Sequence, residues 1–369
     1  MTIASPANII QHFRIKGSFQ KIIPVTKGHI HQTYHLINHA PGYPDYLLQK
    51  INHSIFKDVP LLMDNLKIIT HHVTQRLKDL YPSHLPRTSL TLIPSNDGGS
   101  YHQKKDQEYW RVFIFIKDHQ VIEQVENPDQ VYQGAKMYGE FLRLLSDLKV
   151  DQIKTTIPHF HDLEMRLKLF FNAVERDPLG RVKEVSKEIK HIQTSAHNMG
   201  TVQRLGKAGK IPLRITHNDT KFNNVLLDEK GKGLCVIDLD TTMPGYLQFD
   251  FGDGVRSSVH NLPEDLRDLS QLDLNLENFE AFTQGYLEKA GDLLIPADWD
   301  CLSLSPAFMS FMMGVRFLTD YIVGDEYYKT KYPDQNLTRA RTQLKLAKIL
   351  NERRSDLECI INKFRSNKN

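Results

Sequence analysis

Residues 215–240, ITHNDTKFNNVLLDEKGKGLCVIDLD, decide the fold of this chain. Two short apolar runs, VLL (225–227) and LCVI (234–237), flank the turn DEKGKG and predict a β-hairpin. Such a hairpin returns Asp238 to the neighbourhood of Asn224. Because an aspartate that follows a buried strand is costly unless it is paired or binds a metal, the stretch predicts a site as well as two strands.

The spacing of the polar residues is typical of a catalytic loop for phosphoryl transfer. That reaction needs a carboxylate near the attacking hydroxyl and hard oxygen ligands for Mg²⁺. In the kinase pattern H-R-D-x-x-x-x-N, the Asp and Asn are five residues apart, as are Asp219 and Asn224 (224 − 219 = 5). Lys221 follows Asp219 by two residues, where its ammonium group can reach the γ-phosphate.

HNDTKFNN followed by VIDLD resembles the aminoglycoside phosphotransferase family, small-molecule kinases that share the two-lobe architecture of protein kinases. The resemblance covers most of the chain. It implies an α+β fold with a small β-rich N-lobe and a larger, mainly helical C-lobe, and it implies ATP and Mg²⁺ as cofactors. Under this resemblance Asp219 is the catalytic base and His217 supports the loop. Asn224 and Asp238 are then the Mg²⁺ ligands, and Asp240 completes the metal motif.

A second motif, FDFGDGVRS (249–257), contains a literal DFG. It begins 31 residues after the predicted base (250 − 219 = 31), and Asp238 already occupies the metal position. The resemblance implies that Asp250 braces the backbone of the catalytic loop. The missing A-P-E element and the short segment between Asp238 and Asp250 argue against a protein kinase.

The remaining sequence predicts strands first and helices afterwards. Apolar positions repeat at three- and four-residue steps over 61–80, which predicts a helix that Asp58 and Pro60 begin. The predicted strands cover 19–25, 33–38, 45–52, 89–94 and 108–116. After a polar crossing that ends in the cap signal Asn127-Pro128, helical patterns dominate. We predict an N-lobe over 1–116, a hinge over 117–127 and a C-lobe over 128–369.

The nucleotide end is predicted with less detail. Gly28 lies in the loop between the first two strands, which in the family covers the ATP phosphates. Lys50, on the third strand, is the candidate for the α/β-phosphates. Strand alternation does not decide which face is inward, so Gln49 competes with it. The predicted hinge backbone that binds adenine is Phe115, Ile116 and Lys117.

The acceptor end resembles the N-acetylhexosamine 1-kinase branch of the same family, through TTMPGYLQFDFGDGVRSS and VRFLTDYIVGDEYY. This resemblance suggests Arg316 and Tyr327 as sugar contacts, because a guanidinium offers several donors and a tyrosine offers a ring and a hydroxyl. Arg256 could contact the sugar or brace Asp253. The candidate substrate residues from the N-lobe loop are His31 and Gln32.

The resulting hypothesis is an ATP-dependent kinase of the anomeric hydroxyl of N-acetylglucosamine or N-acetylgalactosamine. One alternative is a kinase of the same fold that acts on choline, homoserine, an aminoglycoside or a thioribose. Cationic acceptors favour acidic, aromatic-lined pockets, and residues 300–320 contain only Asp300 and Asp320 as acids. The other alternative is a non-catalytic nucleotide-binding regulator.

Composition limits the remaining function classes. Forty-seven basic and 44 acidic residues give a net charge of +3, without the concentrated basic stretch expected for nucleic-acid binding. The N-terminus lacks a signal-peptide pattern, and no apolar run has the roughly 18–20 residues of a membrane span. The three cysteines are far apart and predict neither a zinc site nor a disulfide framework. We expect a cytoplasmic protein, a monomer by default, whose partners are ATP and a small sugar.

Overall fold

The N-lobe is built around an antiparallel sheet of six strands among the residues that the computed structural model describes, 6–26, 30–80, 87–104 and 108–366. The strand order is β1-β2-β3-β6-β4, and β5 pairs with β6. The strands are β1 Phe19–Val25, β2 Gln32–Asn38, β3 Tyr46–Lys50, β4 Leu92–Ile93, β5 His102–Gln103 and β6 Tyr109–Ile114. The predicted strands are confirmed, except that 89–94 shortens to the two residues of β4.

The two faces of this sheet have different partners. On one face Leu48 is buried in a cluster with Ile9 of helix α1 (Pro6–Ile10) and Trp110 of β6. The opposite face packs against helix α2 (Val59–Leu80), where Ile51 and Phe113 join the main core. Residues that alternate along β3 and β6 therefore point either to the outer cluster or toward α2.

Helix α2 begins where the sequence predicts. The Asp58 side chain accepts a hydrogen bond from the N–H of Leu61 at 2.9 Å, and Pro60 lies in the first turn. Successive turns of α2 bury Leu62, Leu66 and Ile69. The helix therefore closes the inner face of the N-lobe sheet, and its first turns lie close to the site described below.

The C-lobe is mainly helical. Its helices are α3 Pro128–Leu144, α4 Leu163–Arg176, α5 Ser186–Met199, α6 Thr201–Lys207, α7 Leu247–Arg256, α8 Leu276–Ala290, α9 Pro296–Leu302, α10 Ser305–Val323, α11 Gln335–Glu352 and α12 Arg354–Ser366. The almost wholly buried α10 packs against α4, α7 and α11 and forms the centre of this lobe. Asn127 caps α3 by accepting a hydrogen bond from the N–H of Gln130 at 3.0 Å, which confirms the predicted cap.

Five short strands position the segments of the C-lobe that carry the predicted site residues. Strands β7 (His119–Val121), β9 (Val225–Asp228) and β10 (Gly233–Val236) form a sheet in the order β10-β9-β7. Strand β8 (Arg214–Thr216) pairs with β11 (Met243–Gly245). The predicted hairpin is confirmed as β9 and β10. The predicted hinge, however, contains β7, which is anchored to the C-lobe sheet through β9.

Together these elements form a two-lobe α+β fold of the kinase type, as the sequence predicts. In the described part of the chain, no single helix is long and apolar enough to cross a membrane. Helices α9 and α10 pass the same test of length and composition only as a pair, with a bend of 57° between them.

Candidate active site

The loop between β8 and β9 is held by a buried carboxylate. Asp250, in the first turn of α7, accepts hydrogen bonds from the N–H groups of His217 (2.8 Å) and Asn218 (2.7 Å). Burial raises the pKa of Asp250 to about 6, while the two bonds from backbone N–H groups act in the opposite direction. The predicted role of Asp250 as a brace of this loop is confirmed.

His217 connects the loop to the strand that precedes Asp238. Its Nε2 donates to the carbonyl of Ile237 at 2.9 Å, and its Nδ1 accepts from the N–H of Asp219 at 3.2 Å. These two bonds assign the neutral tautomer with the proton on Nε2. The supporting role predicted for His217 is confirmed.

Asp219, Lys221 and Asn224 lie together, as their spacing predicts. One Asp219 carboxylate oxygen lies 3.2 Å from the Lys221 ammonium and 3.2 Å from the amide nitrogen of Asn224. The same amide nitrogen also donates to the Asp219 carbonyl at 2.9 Å. The negative charge of Asp219 raises the pKa of Lys221, so the lysine is charged at neutral pH. The loop therefore presents a carboxylate with a cation beside it.

Asp238 lies beside this group at a left-handed backbone position (φ 60°). The N–H of Ile237 donates to the Asn224 carbonyl at 2.9 Å, which brings the two predicted metal residues together. Burial, followed by the neighbouring Asp240 and Asp219 carboxylates, raises the pKa of Asp238. Among the described residues no side chain forms a hydrogen bond or ion pair with its carboxylate. A partly buried carboxylate without a protein partner fits a cation.

The donor set also fits Mg²⁺ in particular. Mg²⁺ is commonly held by one or two carboxylates together with substrate phosphates and waters, rather than by an all-protein cage. Within the described residues there is no group of three or more His, Cys, Asp or Glu side chains that could hold a metal. Asp238 and the amide oxygen of Asn224 are the protein groups that could hold Mg²⁺ here.

Asp240 makes contacts that differ from its predicted role as a metal ligand. Its two carboxylate oxygens accept from the guanidinium of Arg111 at 2.5 and 2.8 Å, and Oδ2 also contacts Nε2 of His31 at 2.5 Å. Although burial alone would raise the pKa of Asp240, Arg111 and His31 hold it well below its usual range. Since both oxygens bind groups of the N-lobe, Asp240 connects the two lobes, and its predicted role as a metal ligand is not supported.

Sequence reasoning missed Arg111, which lies in β6 opposite Gln49 of β3. Its Nε donates to the Gln49 side-chain oxygen at 2.9 Å, and the Gln49 amide donates to Thr33 at 3.2 Å. The inward side chain of β3 is therefore Gln49. The available signal was a lone arginine inside the apolar run of β6, since a buried charge needs a partner.

The prediction that Lys50 faces the nucleotide is wrong. Lys50 lies opposite Trp110 on the outer face of the sheet, where it forms an ion pair with Glu108 and lies 5.9 Å from the Trp110 ring centroid. Gln32 pairs with Lys50 in the strand register and therefore lies on the same outer face of the sheet. The predicted contact of Gln32 with the substrate is not supported. Gly28, the third N-lobe candidate at this end, lies outside the described residues.

His31 also has a different role from the predicted substrate contact. Its Nδ1 accepts from the N–H of Asn52 at 3.1 Å, which leaves Nε2 to donate to Asp240. Its ring stacks on Phe56, with 5.7 Å between the centroids. His31 therefore supports the contact between the lobes.

Some backbone groups of the predicted adenine-binding segment, residues 115–117, already form hydrogen bonds with other parts of the protein. The N–H of Phe115 donates to the Asp45 carbonyl at 2.9 Å, and the Phe115 ring stacks on His35 at 3.8 Å. The Ile116 carbonyl accepts from Nδ1 of His119 at 2.6 Å, and the Lys117 carbonyl accepts from Arg87 at 2.6 Å. The N–H groups of Ile116 and Lys117 donate to no group among the described residues. They are the backbone groups of this segment that we still predict to bind adenine.

Arg256 does not present its guanidinium to an acceptor. Its Nε and Nη2 donate to one Asp253 oxygen at 2.9 and 2.7 Å, and Nη1 lies 3.4 Å from both Glu264 and Gln343. The side chain is buried. Of the two roles considered from the sequence, the bracing of Asp253 is confirmed and sugar contact is not supported.

Arg316 and Tyr327, two of the residues predicted to contact a sugar, lie close to each other. The Arg316 guanidinium lies 5.9 Å from the centroid of the Tyr327 ring, and half of Tyr327 (49%) is exposed. Sequence reasoning missed the neighbouring His161, whose Nε2 donates to the carbonyl of Asn218 at 2.8 Å. This bond connects the segment before α4 to the catalytic loop.

Solved structures with the same architecture span nearly the whole chain. An aminoglycoside phosphotransferase from Alicyclobacillus acidocaldarius has a TM-score of 0.62 at 10% identity, covering 97% of this chain and 98% of its own. A spectinomycin phosphotransferase, solved with ADP and spectinomycin, has a TM-score of 0.57 at 13% identity, with coverages of 95% and 100%. A microcompartment-associated aminopropanol kinase has a TM-score of 0.55 at 14% identity, with coverages of 95% and 96%. At these identities the likeness establishes the shared fold.

The family comparison covers both the N-lobe sheet and the catalytic segment. The matched region begins in β1 and ends in α8, so it includes Arg111, Asp219, Asn224 and Asp238. Since residues 21–284, more than half of the chain, match the model of the phosphotransferase enzyme family (APH), this chain belongs to that family.

Proposed function

We propose that this chain is an ATP- and Mg²⁺-dependent kinase that phosphorylates the anomeric hydroxyl of an N-acetylhexosamine. The observation that carries the proposal is the grouping of Asp219 with Lys221 and Asn224 at 3.2 Å, beside the unpaired carboxylate of Asp238. Family membership supports transfer of a phosphoryl group to a small molecule. The choice of a sugar rests on the resemblance of the segments around Arg256 and Arg316.

In the proposed reaction the residues have separate tasks. Asp219 orients the acceptor hydroxyl and accepts its proton, while Lys221 offsets negative charge on the transferred group. Asn224 and Asp238 hold Mg²⁺, which when bound neutralises charge on the phosphate oxygens. An anomeric hydroxyl is more acidic than a simple alcohol, so a carboxylate base suffices. Positioning and electrostatics account for most of the acceleration.

The alternative is a kinase of a cationic alcohol. Proteins with a similar fold include an aminopropanol kinase and an ethanolamine kinase. Such acceptors favour a pocket with unpaired carboxylates and aromatic faces. In this chain Asp253 is paired with Arg256, and Asp320 accepts the N–H groups of Tyr327 and Tyr328. Neither carboxylate is therefore free to bind a cationic acceptor, and this favours a neutral sugar over a cationic alcohol as the acceptor.

Two measurements test the proposal. ADP release is followed with MgATP and a panel that contains N-acetylglucosamine, N-acetylgalactosamine, choline and ethanolamine. Release with a sugar supports the proposal, whereas release only with an amine supports the alternative. Phosphorus NMR of the product then shows whether the phosphate is on C1. If the protein binds MgATP but releases no ADP with any of these acceptors, the result would instead indicate a nucleotide-binding regulator.

A further inference from the structure

Two arginines of the C-lobe contact the same residue, Phe160, which precedes His161. Arg166 lies in α4 and Arg316 in α10, two helices that pack against each other. Arg316 is only 9% exposed. Its guanidinium lies 5.1 Å from the ring centroid of Phe160 and 5.6 Å from that of Tyr328. Arg166 donates from Nη2 to the Phe160 carbonyl at 3.1 Å.

Neither arginine has a carboxylate partner within the described part of the chain. Arg316 makes one side-chain contact of the hydrogen-bond type, to the sulfur of Met313 at 3.5 Å. The Nε of Arg166 is buried and has no partner, and the same is true of the hydroxyl of Tyr328. In contrast, four other arginines with inward guanidinium groups each bind a carboxylate: Arg111 with Asp240, Arg181 with Asp325, Arg214 with Asp298 and Arg256 with Asp253.

Asp162 and Asp320, which lie one helical turn from Arg166 and Arg316 in the sequence, bind other groups. Asp320 accepts the N–H groups of Tyr327 (2.8 Å) and Tyr328 (2.9 Å) and thereby shapes their loop. Asp162 caps α4 and accepts from the side chain of Gln203 at 2.7 Å. These acids hold backbone and helix ends in place and leave the guanidinium groups uncompensated.

The effect on neighbouring groups agrees with an uncompensated positive charge. Burial and then Arg316 lower the pKa of Arg166 to about 10. The same two causes lower the pKa of His161 to about 3, so this histidine is neutral. Two guanidinium groups held together in partly buried surroundings are costly without an anion. A bound carboxylate or phosphate would relieve this cost through charge-assisted hydrogen bonds.

The arginines are also connected to the reacting end of the site. The Phe160 ring, on which Arg316 lies, is 4.5 Å from the ring of His161. His161 in turn donates to the carbonyl of Asn218, the residue before Asp219. Phe160 and His161 therefore connect Arg316 to the catalytic loop through a continuous series of contacts.

We propose that Arg166 and Arg316 form an acidic-group subsite, which binds a carboxylate or phosphate of the acceptor while a hydroxyl of the same molecule faces Asp219. The inference rests on the proposed kinase function and adds a class of acceptor, an N-acetylhexosamine or related sugar with an acidic substituent. Tyr327 and Phe160 supply the ring faces against which the sugar packs.

The test compares sugars that differ in one substituent. ADP release with MgATP is measured for N-acetylglucosamine, for its 6-carboxylate, for its 6-phosphate and for glucosamine. We expect kcat/KM for one of the two acidic sugars to exceed that for N-acetylglucosamine by about 10- to 100-fold. The comparison of the 6-carboxylate with the 6-phosphate identifies which acidic group the arginines bind. Equal or better use of N-acetylglucosamine or glucosamine would overturn the inference.

Variants show whether the preference comes from these arginines. Arg166→Gln and Arg316→Gln should each bring the ratio of acidic to neutral kcat/KM close to one, and Arg316→Lys should retain part of it because the charge remains. Arg365→Gln is the matched control, since Arg365 pairs with Asp300 on the surface at 2.8 Å, and it should keep the wild-type ratio. A ratio that is unchanged in both arginine variants argues against the subsite.

A separate measurement distinguishes failure of the inference from failure of the kinase proposal. Titration calorimetry of the same four sugars without nucleotide reports binding whether or not transfer occurs. If no acceptor yields ADP, the kinase proposal fails. Selective binding of an acidic sugar that is lost in Arg316→Gln would still support the subsite. Absence of selective binding would overturn it.

Discussion

Arg111 in β6 and Asp240 in the segment after β10 form a two-bond ion pair, with guanidinium–carboxylate distances of 2.5 and 2.8 Å. Both side chains are almost completely buried, at 3% and 2% exposure. The pair connects the N-lobe sheet to the segment that carries Asp238, and His31 adds a third contact. The position of the candidate metal ligand is therefore fixed partly by the opposite lobe.

Removal of the Arg111 side chain should destabilise the protein strongly. Arg111→Met leaves the Asp240 carboxylate buried and without its main partner, and a broken buried pair typically costs about 3–5 kcal/mol. Urea unfolding at pH 7 measures this loss. Arg365→Gln, which breaks an exposed pair, should cost less than about 1 kcal/mol. Equal stabilities for Arg111→Met and wild type would contradict the assigned role of the pair.

The same pair predicts a pH dependence of stability. Because the folded-state pKa of Asp240 is held below the ordinary value of 3.8, the unfolded chain binds its proton more readily. The contribution of the pair is therefore present above about pH 4 and is lost as the pH falls toward the folded-state pKa. We expect the stability difference between wild type and Arg111→Met to narrow from pH 6 to pH 3, as measured by urea unfolding. A constant difference would show that another contact dominates.

Asp238 and Asp240 should respond differently to the same substitution. Asp238→Asn removes a proposed direct ligand, so the Mg²⁺ concentration for half-maximal activity should rise by at least about 10-fold, since outer contacts alone are worth about 10- to 100-fold. Asp240→Asn should mainly lower the melting temperature. Mg²⁺ titrations and thermal unfolding of both variants separate the two roles. A larger Mg²⁺ effect in Asp240→Asn would restore the role that the sequence suggested.

Asp219→Asn tests the assignment of the base. The amide keeps the shape of the side chain but accepts a proton poorly, so kcat should fall by about 10²- to 10⁴-fold. Binding of MgATP, measured by calorimetry, should change little because Asp219 is not a proposed metal ligand. Full turnover by Asp219→Asn would exclude general-base catalysis by this residue.

Lys50 should be dispensable for nucleotide binding. It forms a partly exposed ion pair with Glu108 on the outer face of the sheet, away from the catalytic loop, and ion pairs near the surface contribute about 0–1 kcal/mol to stability. Lys50→Met should therefore keep the KM for ATP within about 2-fold of wild type in the ADP-release assay. A large rise in KM would mean that Lys50 reaches the phosphates.

The local parts of the site were predictable because their spacing is set by short-range geometry. Asp219, Lys221 and Asn224 lie within one loop, and the β9–β10 hairpin fixes the return of Asp238. The long α2 helix and most N-lobe strands were predictable for the same reason, since their apolar periodicity appears directly in the sequence.

The contacts that sequence reasoning missed join segments far apart in the chain. Arg111 and Asp240 are 129 residues apart, and His31 and Asp240 are 209 apart. The choice between Gln49 and Lys50 failed for a related reason, because alternation gives two faces but not which one is inward. Arg166 was missed because only the packing of α4 against α10 brings it near Arg316.

The connection of β7 to β9 has a consequence for engineered hybrids. The strand that follows the N-lobe is already part of the C-lobe sheet, so an exchange of N-lobes between relatives has a junction before His119. Such a hybrid would also have to transfer the cross-lobe partners as a matched set. If the introduced N-lobe had no arginine equivalent to Arg111, Asp240 of the C-lobe would be left as a buried, unpaired carboxylate close to the candidate metal ligand Asp238.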